Sequence, residues 1–254
     1  MYEFKFNEFV DIVKRLRKEC PWDRAQTNDS IKAATIEEAH EVVEAIDNKD
    51  FEELKIELGD LLLHVVFHSV IAEQDGKFNL SEVIASIQEK LIRRHPHVFG
   101  ETKIDNPDDV KKNWEHIKLS EGRKSVLEGV PKSLPALYRA FRLQEKASKV
   151  GFDWNDKAPV WQKVVEEMNE LHTAEKKESP EKVMEEMGDL LFALVNYARF
   201  IKINPEEALS KANSKFQRRF NYIEQKYSEM NKSITESSLE ELDKYWEEGK
   251  KLEK

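Results

Sequence analysis

The chain has 254 residues, 39% of them hydrophobic and 36% charged, with only eight glycines and eight prolines. That composition gives enough apolar material for one or two cores and favours helix over sheet. The formal net charge of −9 argues against a protein that grips a nucleic acid polymer. A single cysteine, Cys20, rules out an internal disulfide. Together with an N-terminus that lacks a basic start and apolar run, it points to a cytoplasmic protein. The most apolar stretch, 61–72, is interrupted by His64 and His68 and is too short to span a bilayer.

Helical periodicity dominates and sustained alternation is almost absent. Phe6, Phe9, Val10, Ile12, Val13 and Leu16 predict an amphipathic opening helix, followed by a polar break over 20–30. Helices are predicted over 31–46, 51–73 and 79–94, with a turn at 47–50 and a stop at Pro96. Asn106-Pro107 predicts a helix start, running to Leu119. Gly122, Gly129, Pro131 and Pro135 mark the boundary region. The expected organisation is a domain over 1–121, a linker over 122–135 and a domain over 136–254. In the second half, helices are predicted over 137–149, 160–177, 180–203, 205–230 and 238–252. Asn204-Pro205-Glu206-Glu207 combines an N-cap, an N1 proline and a capping-box glutamate.

The halves repeat each other, and the matches fall on polar residues. Glu37-Glu38-Ala39-His40-Glu41 matches Glu166-Glu167-Met168-Asn169-Glu170, and Glu57-Leu58-Gly59-Asp60 matches Glu186-Met187-Gly188-Asp189, both at an offset of 129. Lys90 and Arg94 match Lys215 and Arg219 at an offset of 125, and Trp114 and Lys118 match Trp246 and Lys250 at 132. With two long units, this is a duplicated domain rather than a solenoid.

Residues at i and i+3 share a helix face, so Glu38 with Glu41, and Glu57 with Asp60, each present two carboxylates on one side. If the two helices pack antiparallel, four carboxylates converge and repel one another unless a cation joins them. The same holds for Glu167, Glu170, Glu186 and Asp189. Hard oxygen donors suit Mg²⁺, Mn²⁺ or Ca²⁺, and Mg²⁺ commonly partners phosphates. A lone acidic pair on a helix is ordinarily a solvated face. Recurrence at identical spacing beside the apolar runs 61–63 and 190–192 makes a metal site the better reading. Gly59 and Gly188, at the same place in both copies, suggest close approach of a backbone or ligand. Lys90, Arg94, Lys215 and Arg219 suit phosphate oxygens, and Trp114 with Lys118, and Trp246 with Lys250, suit a base and a phosphate. His64, His68, His95 and His97 are read mainly as structural, and Cys20 as a packing residue.

These residues resemble the MazG family of tandem-domain nucleoside triphosphate pyrophosphohydrolases. The resemblance runs from Arg15-Leu16-Arg17 and Cys20-Pro21-Trp22-Asp23-x-x-Gln26-Thr27 through Glu37-Glu38-x-x-Glu41, Glu57-x-x-Asp60 and Arg93-Arg94-His95-Pro96-His97-Val98-Phe99. It resumes at Gly151-Phe152-Asp153-Trp154, Glu167-x-x-Glu170, Glu186-x-Gly188-Asp189 and Lys215-x-x-Arg218-Arg219-Phe220. It implies an all-α NTP pyrophosphatase fold of two helical-bundle domains, a homodimer, and Mg²⁺-dependent hydrolysis of NTPs or dNTPs to the monophosphate and pyrophosphate, with Mn²⁺ as a substitute metal. It credits the second copy with catalysis: Glu167, Glu170, Glu186 and Asp189 for metal, and Lys215, Arg219, Trp246 and Lys250 for the nucleotide. Glu166 or Glu167 is the candidate general base. Two rival readings are a di-iron bundle, which needs paired Glu-x-x-His and finds it only at Glu37-x-x-His40, and a nucleotide-binding regulator without turnover.

Overall fold

A computed structural model describes residues 2–101, 106, 110, 117 and 125–252. The expected helix from Asn106 to Leu119, with Trp114 and Lys118 on it, lies outside the described residues except at isolated positions. Among the described residues all regular structure is helical. No helix among them is long and apolar enough to cross a membrane. The chain divides into two compact units, Met1–Pro107 and Asp108–Lys254.

The first unit holds α1 (Tyr2–Glu19), α2 (Pro21–Ala25), α3 (Lys32–Asn48), α4 (Phe51–Gln74), α5 (Leu80–Arg94) and α6 (Pro96–Phe99). The polar break expected over 20–30 contains the one-turn helix α2, because Pro21 sits at the first helical position, where its missing N–H costs nothing. Between α3 and α4 the chain reverses in two residues. Lys49 takes a left-handed conformation at φ 57°, and the Asp50 side chain caps α4 by accepting from the amides of Glu52 and Glu53 at 3.1 and 3.0 Å. So short a turn makes α3 and α4 an antiparallel hairpin. Val66, Phe67, Val70 and Ile71 on the C-terminal half of α4 close a core with Val13 of α1 and Ile31. The N-terminal half of α4 instead carries the buried Glu57. Asn79 and Glu82 form a complete capping box at the start of α5.

The second unit holds α7 (Ala136–Ser148), α8 (Lys157–Lys177), α9 (Pro180–Phe200), α10 (Pro205–Glu229), a 3₁₀ turn (Ile234–Glu236) and α11 (Leu239–Leu252). The hairpin of α8 and α9 repeats that of α3 and α4, with Ser179 as N-cap and Pro180 at the first helical position. Val160, Val164, Leu171 and Ala174 of α8 are buried, as are Ala193 and Val195 of α9. The helix expected to end at Ile203 ends at Phe200. Segment 125–135 is turn, held to α7 by the buried Lys146, whose Nζ donates to the carbonyls of Val126 at 3.3 Å and Glu128 at 2.9 Å. Gly249 lets α11 lie against Tyr222 of α10, since a Cβ there would come within 3.2 Å of the ring. At Gly59 and Gly188 a Cβ would meet nothing within 4 Å, so no crossing among the described residues of either unit accounts for them.

Candidate metal centre and nucleotide pocket

Each helix hairpin brings carboxylates from both of its helices together. In the first copy, oxygens of Glu38 on α3 and of Glu57 and Asp60 on α4 lie within 4.8 Å of one another. Glu57 is only 8% exposed. Burial first, then a hydrogen bond that the protonated Glu57 donates to Glu53 and the charges of Glu41, Glu53 and Asp60, push its carboxyl up to about 7. Glu38 is also raised, by desolvation and then by Glu41 and Asp60, with His64 opposing. Glu41 therefore shares the electrostatics of the cluster without placing an oxygen inside it. Carboxylates that resist ionising together are the condition a divalent cation relieves.

In the second copy, Glu167 on α8 joins Glu186 and Asp189 on α9 within the same 4.8 Å span, and Glu166, Glu167 and Glu170 form an overlapping group. Glu167 and Glu186 are 6% and 7% exposed. Here the negative charge has counter-ions. Lys163 Nζ lies 2.6 Å from both Glu166 Oε1 and Glu167 Oε1, and Lys182 Nζ lies 2.8 Å from Glu186 Oε1 and 3.1 Å from Glu185 Oε1. Glu166 and Glu167 hold the Lys163 ammonium well above its ordinary range, and Glu186 and Glu185 do the same for Lys182. Glu170 is raised by desolvation and by Glu167 and Glu186, against Lys163.

The three clusters found among the described residues consist of carboxylates alone. That donor set fits Mg²⁺ or Mn²⁺ and not the Glu-x-x-His pairs of a di-iron bundle. His40 stands in none of them.

Beside Glu167 and Asp189 opens a cavity of about 410 Å³, the size class of small-molecule sites. Leu143, Phe152, Trp154, Val160 and Phe192 supply apolar walls. Besides Glu167 and Asp189, its polar groups are Lys163, Asn196, Gln144, Asp153 and Arg199. Arg199 donates to both oxygens of Asp153 at 2.9 and 2.6 Å and to Asn196 Oδ1 at 3.0 and 2.9 Å, which pins the loop before α8 against α9. Gln144 is 9% exposed; its Nε2 donates to the Phe192 carbonyl at 2.8 Å.

The expected nucleotide residues of α10 and α11 form a separate group. The Arg219 guanidinium lies 5.6 Å from the Trp246 ring centre, Phe216 packs on the same ring at 5.3 Å, and Lys250 pairs with Glu247 at 3.0 Å. None of Lys215, Arg219, Trp246 and Lys250 lines the cavity beside Glu167. In the first unit Lys90 and Arg94 lie on α5.

Residues that the spacing argument passed over complete the sites. Lys163 and Lys182 stand one helical turn before Glu167 and Glu186, a signal legible as i, i+4 pairs. His64 and His68, read as structural, belong to a polar chain beside Glu38. Thr35 Oγ1 lies 2.9 Å from both His64 Nδ1 and His68 Nε2, Asn28 Oδ1 lies 2.6 Å from His68 Nδ1, and His64 Nε2 faces Glu38 Oε1 at 3.8 Å. The counterparts of His64 and His68 are Ala193 and Tyr197, and that of Thr35 is Val164, so this chain is peculiar to the first copy.

A family described as the MazG nucleotide pyrophosphohydrolase domain matches residues 26–99 and 158–223, one segment over each hairpin. A nucleoside triphosphate pyrophosphohydrolase/pyrophosphatase MazG from Thermotoga maritima is 46% identical over 250 residues, covering 96% of this chain and 95% of the relative. A nucleoside triphosphate pyrophosphohydrolase from Escherichia coli K12 is 41% identical over 258 residues, covering 98% of both. The protein YabN of Bacillus subtilis is 48% identical over 257 residues, which is 98% of this chain and 52% of that protein. Carrying the family's domain twice, and aligning with the Thermotoga maritima and Escherichia coli relatives over 95% or more of both chains, the chain belongs to the MazG family.

Proposed function

We propose that this protein hydrolyses nucleoside triphosphates to the nucleoside monophosphate and pyrophosphate, using Mg²⁺ held by Glu167, Glu170, Glu186 and Asp189 in the second copy and by Glu38, Glu57 and Asp60, with Glu41 beside them, in the first. The observation that carries the reading is the carboxylate cluster of Glu167, Glu186 and Asp189 opening onto an apolar cavity with Lys163 at its edge. A base fits the apolar part of such a cavity and a triphosphate fits the charged end.

The cation, when bound, neutralises the triphosphate and acidifies a water for attack. The remaining work belongs to the chain. Lys163, at the cavity wall, sits where an incoming polyphosphate can exchange for its carboxylate partners and so stabilise charge on the departing group, and Lys182, paired with Glu186 of the same cluster, is the second ammonium available for that exchange. Glu166, more exposed than Glu167 and paired with Lys163, is the group best placed to take a proton from water once that lysine turns to phosphate. The water oxygen ends on one product, the phosphoanhydride oxygen leaves with the other, and the proton passes to the carboxylate. Lys215, Arg219, Trp246 and Lys250 serve the nucleotide from α10 and α11; the Arg219–Trp246 stack offers a flat cationic face for a base or phosphate.

The working form is a homodimer in the cytoplasm. Its support is a pair of uncovered apolar faces at matching positions: Leu58, Leu62 and Val65 on α4, and Met187, Leu191 and Leu194 on α9, all at least 40% exposed. A contiguous face of this kind is characteristic of subunit contacts. The bare backbone at Gly59 and Gly188, on the same helices, permits close approach of a partner.

The test is incubation with NTPs and dNTPs plus Mg²⁺ and chromatographic identification of products. Monophosphate with pyrophosphate is expected. Diphosphate with phosphate moves the cleavage site, and binding without product favours a regulator.

A further inference from the structure

The two carboxylate clusters are built alike but neutralised differently. In the second copy, ammonium groups already occupy the carboxylates: Lys163 lies 2.6 Å from Glu167 Oε1, and Lys182 lies 2.8 Å from Glu186 Oε1. At the offset of 129 the first copy has Ala34 in place of Lys163 and Glu53 in place of Lys182. One counter-ion is thus missing and the other is replaced by a further acid. Among the described residues, the sole basic group within ion-pair distance of Glu38, Glu57 or Asp60 is His64, 3.8 Å from Glu38. That ring is tied through Nδ1 to Thr35, itself shared with His68.

We infer that the two copies load metal by different rules: the first takes a divalent cation from solution without nucleotide, and the second takes one only together with a nucleotide whose phosphates draw Lys163 and Lys182 off Glu167 and Glu186. The inference rests on the reading of these clusters as pyrophosphohydrolase metal sites. Its physical basis is competition. A cation entering the second site must displace both ammonium groups from the largely buried Glu167 and Glu186, leaving each lysine only its second, more exposed partner, Glu166 or Glu185, so the ammonium groups compete with the cation for those oxygens. A triphosphate eases that competition, because an ammonium that gives up the buried carboxylate recovers an anionic partner in a phosphate oxygen. Lysine suits the exchange, being a compact charge on a flexible stem. Lys163 lines the cavity together with Glu167 and Asp189, so a phosphate entering there reaches its ammonium directly. Among the described residues of the first copy no ammonium pairs with Glu38, Glu57 or Asp60, and mutual repulsion among Glu38, Glu41, Glu53, Glu57 and Asp60 favours the cation from the outset.

The order matters for function. The second copy would bind metal and nucleotide cooperatively and ignore free metal, while the first would carry metal whenever it is available.

The test is Mn²⁺ titration of the full chain, counting the free aquo ion by electron paramagnetic resonance, with and without an NTP analogue carrying an α,β-imido bridge and against a protein-free control. Without analogue, one tight class per chain is expected, and it disappears in Glu57→Gln/Asp60→Asn. With analogue, a second class appears that Glu186→Gln/Asp189→Asn removes, its affinity raised more than about tenfold, within the usual range of ligand coupling. Lys163→Met/Lys182→Met should give the second site its metal without nucleotide. Two equal classes in the absence of analogue, or a tight nucleotide-free class that survives Glu57→Gln/Asp60→Asn, overturns the inference. If the lysine variant does not fold, the wild-type count with and without analogue decides alone. Product analysis on the same preparation separates the two readings. Monophosphate formation with two equal nucleotide-free classes sinks only the loading rule; the predicted classes without monophosphate sink only the hydrolase.

Discussion

The bidentate pair of Arg199 and Asp153 is the point where the cavity's architecture can be tested most directly. Its side chains are 14% and 25% exposed, so solvent screens the pair only weakly. Arg199 spends two further hydrogen bonds on Asn196 Oδ1 and lies 4.9 Å from the Phe200 ring centre. Asp153 belongs to the loop that also brings Phe152 and Trp154 to the cavity wall. Hydrogen bonds to charged groups contribute about 1.5–3 kcal/mol each, and removing one partner of a largely buried pair leaves an uncompensated charge worth about 3–5 kcal/mol. Because some solvent reaches Asp153, Arg199→Met is expected near the low end, about 2–3 kcal/mol. At about 2–4 °C per kcal/mol for a unit of this size, that lowers its melting temperature by about 5–10 °C. Arg199→Met also frees Asn196, so the pair itself is isolated by a cycle with Asp153→Asn, which cancels the contribution of the first unit. A coupling energy of about 1–2 kcal/mol is expected by calorimetry, with a raised KM for the nucleotide in both single variants. Additivity within about 0.5 kcal/mol, or an unchanged KM, would refute the view that this pair holds the cavity wall in place.

Other consequences follow from the same geometry. Glu186→Gln/Asp189→Asn should lower Mg²⁺-dependent monophosphate release by more than about a hundredfold, since even outer partners of metal ligands are worth tenfold to a hundredfold; retention of full activity would transfer catalysis to the first copy. Glu57, with its carboxyl pushed up to about 7, binds its proton more tightly folded than unfolded. Without metal, stability should therefore fall as pH rises from the ordinary carboxylate range through about 7 and level off above it. Thermal melts in chelator would show this slope; Glu57→Gln should reduce it, leaving the share of the likewise raised Glu38 and Glu170, and saturating Mg²⁺ should suppress it. Leu62→Glu and Leu191→Glu place charge on the uncovered faces of α4 and α9 and should shift the mass measured by light scattering toward the monomer; an unchanged mass would place the subunit contact elsewhere.

Much of this protein is local in origin, and what is local was legible in the sequence. Asn79 with Glu82, Asn204 with Pro205, and Ser179 with Pro180 mark helix starts because a cap needs only residues within one turn. The pairing of Glu38 with Glu57 and Asp60, and of Glu167 with Glu186 and Asp189, followed from i, i+3 spacing and the repeat, because a two-residue turn between helices leaves an antiparallel hairpin as the natural outcome. The lysines at i−4 were equally local, and comparing the copies residue by residue at the offset of 129 exposes their absence from the first.

Tertiary structure alone decided the rest. Thr35, His64, His68 and Asn28 meet across separations of 29 to 40 residues, which no periodicity encodes. The cavity gathers residues from Leu127 to Arg199, and its shape depends on how α7, α8 and α9 pack. Glu41 and Glu38 occupy one face of α3, yet only Glu38 places an oxygen in the cluster. A spacing rule specifies direction around a helix axis, whereas coordination depends on where the opposing helix stands, and that is set by the buried side chains between them.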